Sequence, residues 1–320
     1  MSWSALQETR FEGRAPHSKA RPNLKEESVI SRMMLSKNPS SGSASGAPDR
    51  QVVVLEPRHG WRHLGLGEVW AHRELLYFFI WRDLKVRYKQ TAFGASWAVL
   101  QPVLLMLVFS ASVGRIPGIG PKGTPYPLFV FAGLVPWTLF AASLAGASNS
   151  LVGGEPIITK VYFPRLLLPF ASVGSFLLDF VISLGALAVV MLYYQVLPSL
   201  AIVWLPVLTI MALVTALGVG TFLAAVNVRY RDVKYVVPFL IQLWLFTSPV
   251  VYTSALIPAS WRFLFALNPM TGVVEGFRWA LIGGPRPDDL IFVSAAASLV
   301  VLLGALIYFR RVEQTFADVI

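Results

Sequence analysis

Long apolar runs, separated by short charged or proline-containing stretches, fill most of the chain between residues 91 and 309. The first of them, "TAFGASWAVLQPVLLMLVFSASVG", carries no charged side chain from Thr91 to Gly114. A helix that crosses about 30 Å of hydrocarbon needs about 20 apolar residues, so such runs are long enough to span a membrane. The pattern predicts an all-α polytopic membrane protein with six transmembrane helices, at about 92–114, 127–149, 166–194, 200–226, 235–254 and 290–309.

A segment of different character precedes the first run. Residues 67–90 read "GEVWAHRELLYFFIWRDLKVRYKQ", with apolar residues at roughly helical spacing and charged residues among them. This pattern predicts an amphipathic helix in the plane of the headgroups, with its rings in lipid and its basic tips in water. Such a helix is either an ordinary lipid anchor or an elbow that transmits force to the first span, and we assign residues 66–90 to it. The elbow residues are Trp81, Arg82, Asp83, Lys85, Arg87 and Tyr88.

The stretch between the fifth and sixth runs is apolar but broken. Residues 253–284 contain Pro258 and Pro269, which prevent a single crossing, yet they are too apolar for a solvated loop. Two short helices, at about 259–267 and 270–282, would form a re-entrant hairpin that dips into the outer leaflet. Irregular backbone at that depth requires surrounding protein or a wet cavity.

Charged residues inside apolar segments are costly, so they point to function or to pairing. Asp179 is the one carboxylate inside a predicted span. It is either a coupling-ion or proton site, or a hydrogen-bonded structural carboxylate at a helix interface. Glu275 and Arg278 are three residues apart on one predicted helix face, so they can pair with each other to hold the hairpin.

Composition agrees with a membrane protein and excludes several kinds of site. Of the 320 residues 55% are hydrophobic and 14% are charged, whereas soluble domains carry about 25% charged residues. The chain has no Cys, which excludes disulfides and thiolate sites, and the four His residues show no ligand spacing. We therefore predict no metal site. The net charge of +10 surrounds apolar spans, which favours lipid headgroups over nucleic acid as partners.

The basic residues indicate how the spans are oriented. Lys and Arg precede the first span, follow the sixth, and occupy the loops between spans two and three and between spans four and five. All of these positions fall on one side, which the positive-inside rule assigns to the cytoplasm. Both termini of this multi-pass protein are therefore predicted to lie in the cytoplasm.

Two tails flank the predicted transmembrane domain, residues 91–311. The Ser/Gly/Pro tract from Ser36 to Gln51 cannot bury enough apolar surface to order itself, so residues 1–65 are predicted to be a disordered cytoplasmic tail. The sequence shows no cleavable signal peptide, and translation from Met33 or Met34 instead of Met1 stays open. Residues 312–320 are predicted to be a short cytoplasmic C-terminal tail.

Several stretches together resemble one family. "WRDLKVRYKQTAFGASWAVLQPVL", "ITKVYFPRLLLP" and "NVRYRDVKYVVPFLIQLWLFTSPVVY" are similar to the transmembrane subunit of type-2 ABC exporters, the polysaccharide permeases of the Wzm/TagG type. The likeness covers about residues 60–320 in order. It implies six spans with cytoplasmic ends, a homodimer, and a separate nucleotide-binding subunit bound by each copy.

The chain lacks a phosphate-binding loop of the G-x-x-x-x-G-K-[ST] type. "GIGPKGT" at residues 118–124 has glycines at the wrong spacing and falls on the predicted outer side. We therefore expect that this chain is not an enzyme and binds no cofactor, and that ATP and Mg²⁺ are bound by the partner subunit.

The loop after the second span, "NSLVGGEPIITKVYFPR", is the candidate coupling element. Gly153-Gly154 can end the span, Pro156 suits the first turn of a short helix, and Glu155 suits its positive end. The resemblance implies that this helix docks in a groove of the ATPase subunit; the alternative is a connecting loop anchored to lipid through Lys160 and Arg165. The candidate coupling residues are Glu155, Pro156, Ile157, Thr159, Lys160 and Tyr162.

The resemblance also implies a pore and a gate. Aromatic rings offer flat faces to sugars, and the candidates for the substrate channel are Phe93, Trp97, Trp244 and Phe246. The hairpin would close the exit, with outer-gate candidates Asn268, Pro269, Glu275 and Arg278.

These observations lead to one expected function and two alternative functions. The chain is expected to be the permease subunit of an ATP-driven exporter in the cell inner membrane, translocating lipid-linked polysaccharide such as O-antigen, capsule or a teichoic-acid-like polymer. The nearer alternative is an exporter of small lipids or drugs. A proton-coupled secondary transporter is the alternative from a different class.

Overall fold

The computed structural model describes residues 66–89, 94, 96–121 and 123–316, in which all regular structure is helical. The all-α prediction is therefore confirmed for these ranges, while the predicted tail 1–65 and Phe93 lie outside them. The α-helices are α1 (Leu66–Ala71), α2 (Arg73–Lys89), α3 (Ser96–Ser112), α4 (Tyr126–Gly153), α5 (Glu155–Ile158), α6 (Leu167–Ser175), α7 (Leu177–Tyr193), α8 (Leu205–Arg229), α9 (Val233–Thr247), α10 (Arg262–Ala266), α11 (Pro269–Ile282) and α12 (Ile291–Val312). Single 3-10 turns lie at Leu200–Trp204, Ser254–Leu256, Ala259–Trp261 and Glu313–Thr315.

Four helical stretches are long and apolar enough to cross a membrane. They are α4, the nearly continuous α6 and α7, α8 with the turn before it, and α12. They correspond to the second, third, fourth and sixth predicted spans. The predicted division at Pro198-Ser199 is confirmed, because the chain is non-helical between Tyr193 and Leu200.

The other two apolar helices are shorter. The helix α3 has 17 residues, and α9 has 15 residues. At 1.5 Å per residue these lengths are about 25 Å and 22 Å, which is less than the hydrocarbon thickness. The predicted fifth span, 235–254, is wrong at its C-terminal end: α9 stops at Thr247, and Ser248 is extended with ψ 141°. Pro249 explains the stop, since a residue before proline disfavours the helical conformation.

The helix α4 lies at the centre of the described fold. It packs against α3, α6, α7, α8, α9 and α11, and most of its side chains are buried. Small residues allow this close packing. A Cβ atom on Gly220 of α8 would lie 2.6 Å from the Cβ atom of Ala147 on α4. Close approach through small residues is how membrane helices gain van der Waals contact.

A hydrophobic cluster separate from the packing around the middle of α4 lies where α4 and α12 end. It joins α1, α2 and α6 to the ends of α8 and α12. Phe309 and Phe316 belong to it, and their ring centroids are 5.5 Å apart. Phe316 is only 1% exposed. The predicted tail 312–320 therefore begins with a packed turn, because a buried ring fixes its first residues.

Candidate functional site

The candidate coupling loop begins where α4 ends. The backbone N–H of Gly154 donates to the carbonyls of Ser150 and Leu151, at 3.0 and 3.2 Å, and α5 follows at once. Pro156 lies in the first turn of α5, and the Thr159 hydroxyl donates to the Glu155 carbonyl at 3.0 Å. The short helix predicted here from the glycine pair and the proline is confirmed.

The coupling loop combines an exposed surface with a buried anchor. Pro156, Thr159 and Lys160 are exposed, and Tyr162 is 95% exposed. The next residue, Phe163, is buried, and its ring centroid lies 5.3 Å from that of Phe79 on α2. A large exposed ring beside an anchored backbone is suited to insertion into a partner's groove.

Polar contacts connect the coupling loop with the turn after α12 and, through Arg310, with α1. The Arg165 guanidinium donates to the backbone carbonyl of Glu313. Arg310 on α12 forms ion pairs of 2.7 Å with Glu68 on α1 and with Glu313. The coupling loop, α1 and the end of α12 are therefore connected within one cluster.

The far end of α2 is bound to the third predicted span. Arg87 forms a 2.7 Å ion pair with Asp179 on α7 and donates to the Ser175 hydroxyl at 2.8 Å. The Tyr88 hydroxyl donates to the same carboxylate. The Arg87 guanidinium also stacks over the Phe176 ring, 3.8 Å from its centroid. Asp179 thus has two partners in the elbow, which favours its structural interpretation over a proton site.

This contact was missed because 92 residues separate its two side chains. The available signal was chemical. A carboxylate in an apolar span generally has a cationic partner, and the basic end of the predicted elbow offers several cations within a few residues. The pair Glu68–Arg310, separated by 242 residues, left no comparable signal.

The remaining elbow residues form local contacts. Arg82 pairs with Asp83 at 2.8 Å, and the Lys85 ammonium lies 5.3 Å from the centroid of the Trp81 ring. The helix predicted over 67–90 is present as α1 and α2. Several of its aromatic residues are exposed: Trp70, Tyr77, Phe78 and Trp81.

Asn268 connects α9 to the predicted hairpin. Its side-chain oxygen accepts from the backbone N–H of Met270 at 3.1 Å, which caps α11, and from the Trp244 indole at 2.9 Å. Its amide donates to the Ser248 hydroxyl at 2.9 Å. Pro269 fills the first position of α11. The two helices predicted at about 259–267 and 270–282 are confirmed as α10, with its preceding turn, and α11.

Arg278 binds backbone carbonyls instead of Glu275. Its guanidinium donates to carbonyls of α4 and of the segment after α9, and it stacks 3.6 Å from the centroid of the Phe129 ring. The carbonyls belong to Phe129, Pro249, Val250 and Tyr252. The expected ion pair with Glu275 is absent from the ion pairs of the described residues. The unpaired carbonyls after α9 explain the difference, because they take the guanidinium hydrogens.

Glu275 on α11 is mostly buried. Desolvation raises the pKa of its carboxyl, and a hydrogen bond with Ser254 and the positive charge of Arg278 act in the opposite direction.

The channel candidates differ in exposure. Trp97 on α3 is 51% exposed and Phe246 on α9 is 57% exposed. Trp244 is only half-buried, with its ring 4.9 Å from that of Phe140 on α4. Its ring packs against the core and its indole N–H donates to Asn268, so Trp244 connects α9 to both.

A family model and a search of known proteins indicate the same kind of protein. Residues 74–282 match the model of the ABC-2 type transporter family. The O-antigen export system permease protein RfbA of Myxococcus xanthus is 32% identical over 255 residues, covering 78% of this chain and 97% of the relative.

The chain belongs to the ABC-2 type transporter family.

More distant relatives cover similar lengths. An RfbA O-antigen permease of Klebsiella pneumoniae is 25% identical over 248 residues, which is 77% of this chain and 95% of the relative. The polysialic acid transport protein KpsM of Escherichia coli is 23% identical over 242 residues, with 72% and 91% covered. The family match of this ABC-2 transporter chain begins in α2 and ends with α11, so the coupling loop, the elbow contact and the hairpin all lie within it.

Proposed function

We propose that this ABC-2 chain is the permease subunit of an exporter that carries lipid-linked polysaccharide outward across the inner membrane. The observation that carries the proposal is the likeness to permeases named for O-antigen export, which extends over 97% and 95% of two such relatives. A relative named for polysialic acid transport is similar over 91% of its length. The proposed substrate belongs to one of three classes, namely O-antigen, capsule or teichoic-acid-like polymers.

In this proposal the four long apolar stretches cross the membrane, and the shorter α3 and α9 cross it together with the residues that flank them in the chain. Both termini lie in the cytoplasm. The helices α1 and α2 lie at the headgroup level, which their exposed rings support. The hairpin α10–α11 enters the outer leaflet without crossing it. Trp261, Phe263 and Leu264 are exposed on α10 and the turn before it, as lipid contact would require.

Energy comes from a separate nucleotide-binding subunit that holds ATP and Mg²⁺. The exposed surface of the coupling loop, centred on Tyr162, docks into that subunit. Two copies of this chain form a homodimer with the pore between them. The exposed rings Trp97 and Phe246 on α3 and α9 supply sugar-stacking faces for that pore.

The contacts of the described residues provide a route for force. Closure of the ATPase dimer moves the coupling loop, and the Phe163–Phe79 contact passes this movement to α2. The Arg87–Asp179 pair then connects the end of α2 to α7. Rigid helices joined by packed rings and ion pairs are the kind of network that carries such coupling.

The docking assignment is tested by substituting the coupling loop. Tyr162→Ala is expected to weaken association with the ATPase subunit roughly tenfold, because an exposed aromatic ring is a frequent interface anchor. Glu155→Arg adds the wrong charge at the start of α5 and should weaken association too. Affinity is measured by titrating the purified ATPase subunit onto the reconstituted chain.

Tyr193→Ala is the matched control, since Tyr193 is equally a surface tyrosine but lies on the predicted outer side. Association of Tyr162→Ala and Glu155→Arg at wild-type strength would show that the loop is not the docking element.

A further inference from the structure

A cavity of about 300 Å³ lies against the hairpin, and neither the coupling loop nor a described channel candidate lines it. Its walls come from α10, α11, the start of α12, and the segments before α4 and after α9. The polar lining includes Thr271, Glu275, Ser254, Arg262, Arg286 and Asp288, and the apolar lining includes Phe129, Ile257, Phe265 and Ile282. The cavity is thus amphipathic, with apolar walls and a few polar groups, as small-molecule sites generally are.

Two residues that line this cavity each have a buried polar atom without a hydrogen-bond partner within the described protein. These atoms are Oγ1 of Thr271 and Oε1 of Glu275, whose side chain is otherwise hydrogen-bonded with Ser254. Thr271 is 7% exposed, and the two residues are one helical turn apart on the same face of α11. Buried polar atoms are normally paired, so two unpaired ones on residues that line the same cavity point to a site for a polar ligand.

The charges around the cavity restrict what that ligand is. Arg262 and Arg286 line the cavity together with the carboxylates of Glu275 and Asp288, while the guanidinium of Arg278 donates to backbone carbonyls. A phosphate would meet two carboxylates, and a free cation would meet two guanidinium groups, so neither is favoured. A neutral ligand that both donates and accepts hydrogen bonds fits this lining.

Sugar hydroxyls both donate and accept hydrogen bonds. A carboxylate accepts from a hydroxyl, a guanidinium donates to one, and a threonine hydroxyl can do either. The C–H faces of a pyranose ring suit the apolar walls. The volume is at the low end for ligand sites, which leaves room for one small ring and not for a polymer chain.

We propose that this cavity binds a single neutral sugar unit, with Thr271 and Glu275 as the pair that contacts its hydroxyls. The proposal rests on the proposed function, for which it places a saccharide contact beside the predicted outer gate. A sugar held here bridges α10, α11 and the start of α12, so its arrival and release are coupled to the position of the hairpin.

Saturation-transfer NMR tests this on the full chain, purified in a detergent without a sugar headgroup. The probes are methyl glucoside, methyl galactoside, methyl mannoside and the methyl glycoside of N-acetylglucosamine. At least one is expected to show transfer from the wild-type chain. Thr271→Val and Glu275→Gln should each reduce that transfer roughly tenfold. The first removes the hydroxyl, and the second removes the negative charge and replaces one accepting carboxylate oxygen with an amide group that donates.

Two variants serve as controls. Thr271→Ser keeps the hydroxyl and should retain transfer, which separates loss of binding from loss of fold. Glu74→Gln makes the same chemical change at an exposed position on α2 and should bind as the wild type does. Inorganic phosphate, followed by phosphorus NMR, is expected not to bind.

Three results overturn the inference: no glycoside shows transfer, phosphate alone binds, or Thr271→Val and Glu275→Gln bind as the wild type does. ATP-dependent export by the wild-type complex, measured in parallel, keeps this test separate from the proposed function. A complex that exports while its chain binds no glycoside overturns the sugar site alone. A chain that binds a glycoside in a complex that exports no polysaccharide overturns the proposed function.

Discussion

Arg278 donates its guanidinium hydrogens to four backbone carbonyls, three of which belong to the non-helical segment that follows α9. Such carbonyls have no helical partner, and in a membrane they have no water to replace it. A guanidinium has five N–H donors in a fixed fork, so one side chain can satisfy several of them. Arg278 therefore stabilises the break between α9 and the hairpin.

Substitution of Arg278 tests this directly. Arg278→Met should lower thermal stability strongly, because each buried carbonyl left without a donor costs about 1–3 kcal/mol. Arg262→Met is the control, since Arg262 is exposed and no carbonyl of the described residues depends on it. Melting is followed by fluorescence-detected size exclusion. Equal melting temperatures for Arg278→Met and Arg262→Met would refute the assignment.

Gly133 leaves the space that this guanidinium fills. A Cβ atom on Gly133 would lie 2.7 Å from Nη2 of Arg278 and 3.2 Å from the Val250 carbonyl oxygen. Gly133→Ala should therefore destabilise the protein by about 1–3 kcal/mol through overpacking.

Gly304→Ala provides the comparison, because a Cβ atom on Gly304 of α12 meets nothing within 4 Å. In a helix interior this change should be neutral or stabilising by about 0.5–1 kcal/mol. The two variants are compared by the same melting assay. Gly133→Ala with stability at or above that of Gly304→Ala would contradict the packing described here.

Residues whose roles depend on local sequence could be predicted. Asn268 and Pro269 mark the start of α11, and Pro156 marks the start of α5, because caps and prolines act on their own helix. The carbonyl partners of Arg278 could not be predicted. They lie 26 to 149 residues away, and only the irregular path after α9 presents them.

At the scale of elements, α1 and α2 are attached to the rest of the fold at three points. The Glu68–Arg310 pair holds the beginning, the Phe79–Phe163 contact holds the middle, and the Arg87–Asp179 pair holds the end. This attachment differs from that of a simple lipid anchor, which would leave the helix free to move alone. The proposed transmission of force from the coupling loop to α7 requires such an attachment of α2.

A double-mutant cycle measures the last of these attachments. Arg87→Met and Asp179→Asn should each destabilise the fold, and their combined effect should fall short of the sum by about 1 kcal/mol or more, as contacting residues do. Arg82→Met combined with Asp179→Asn is the control, and should be additive. Additivity of the Arg87 and Asp179 variants would mean that the pair does not couple the two helices.

The boundaries of four elements followed the apolar runs. The spans corresponding to α4, α6–α7, α8 and α12 were predicted within a few residues, because runs of this length have few alternatives. The error at α9 arose from counting apolar residues across Ser248 and Pro249, where backbone sterics end the helix.

At the scale of the whole molecule, the fold class and the family could be predicted from the sequence alone. The apolar runs and the order of the motifs along the chain are properties of the sequence itself. It did not allow prediction of the cluster that joins the coupling loop, α1 and the end of α12, or of the cavity beside α11. Both depend on residues far apart in the chain that only the packed helices bring together.

In the proposed function this chain is one of two subunits that form the transport channel, and a separate ATPase supplies the energy. The most direct measurement is the translocation of lipid-linked polysaccharide into sealed vesicles, with the chain alone and with its nucleotide-binding subunit. We expect transport only when both proteins, ATP and Mg²⁺ are present, and loss of that transport when a catalytic residue of the ATPase subunit is substituted. Sustained uphill transport by the chain alone would contradict the claim.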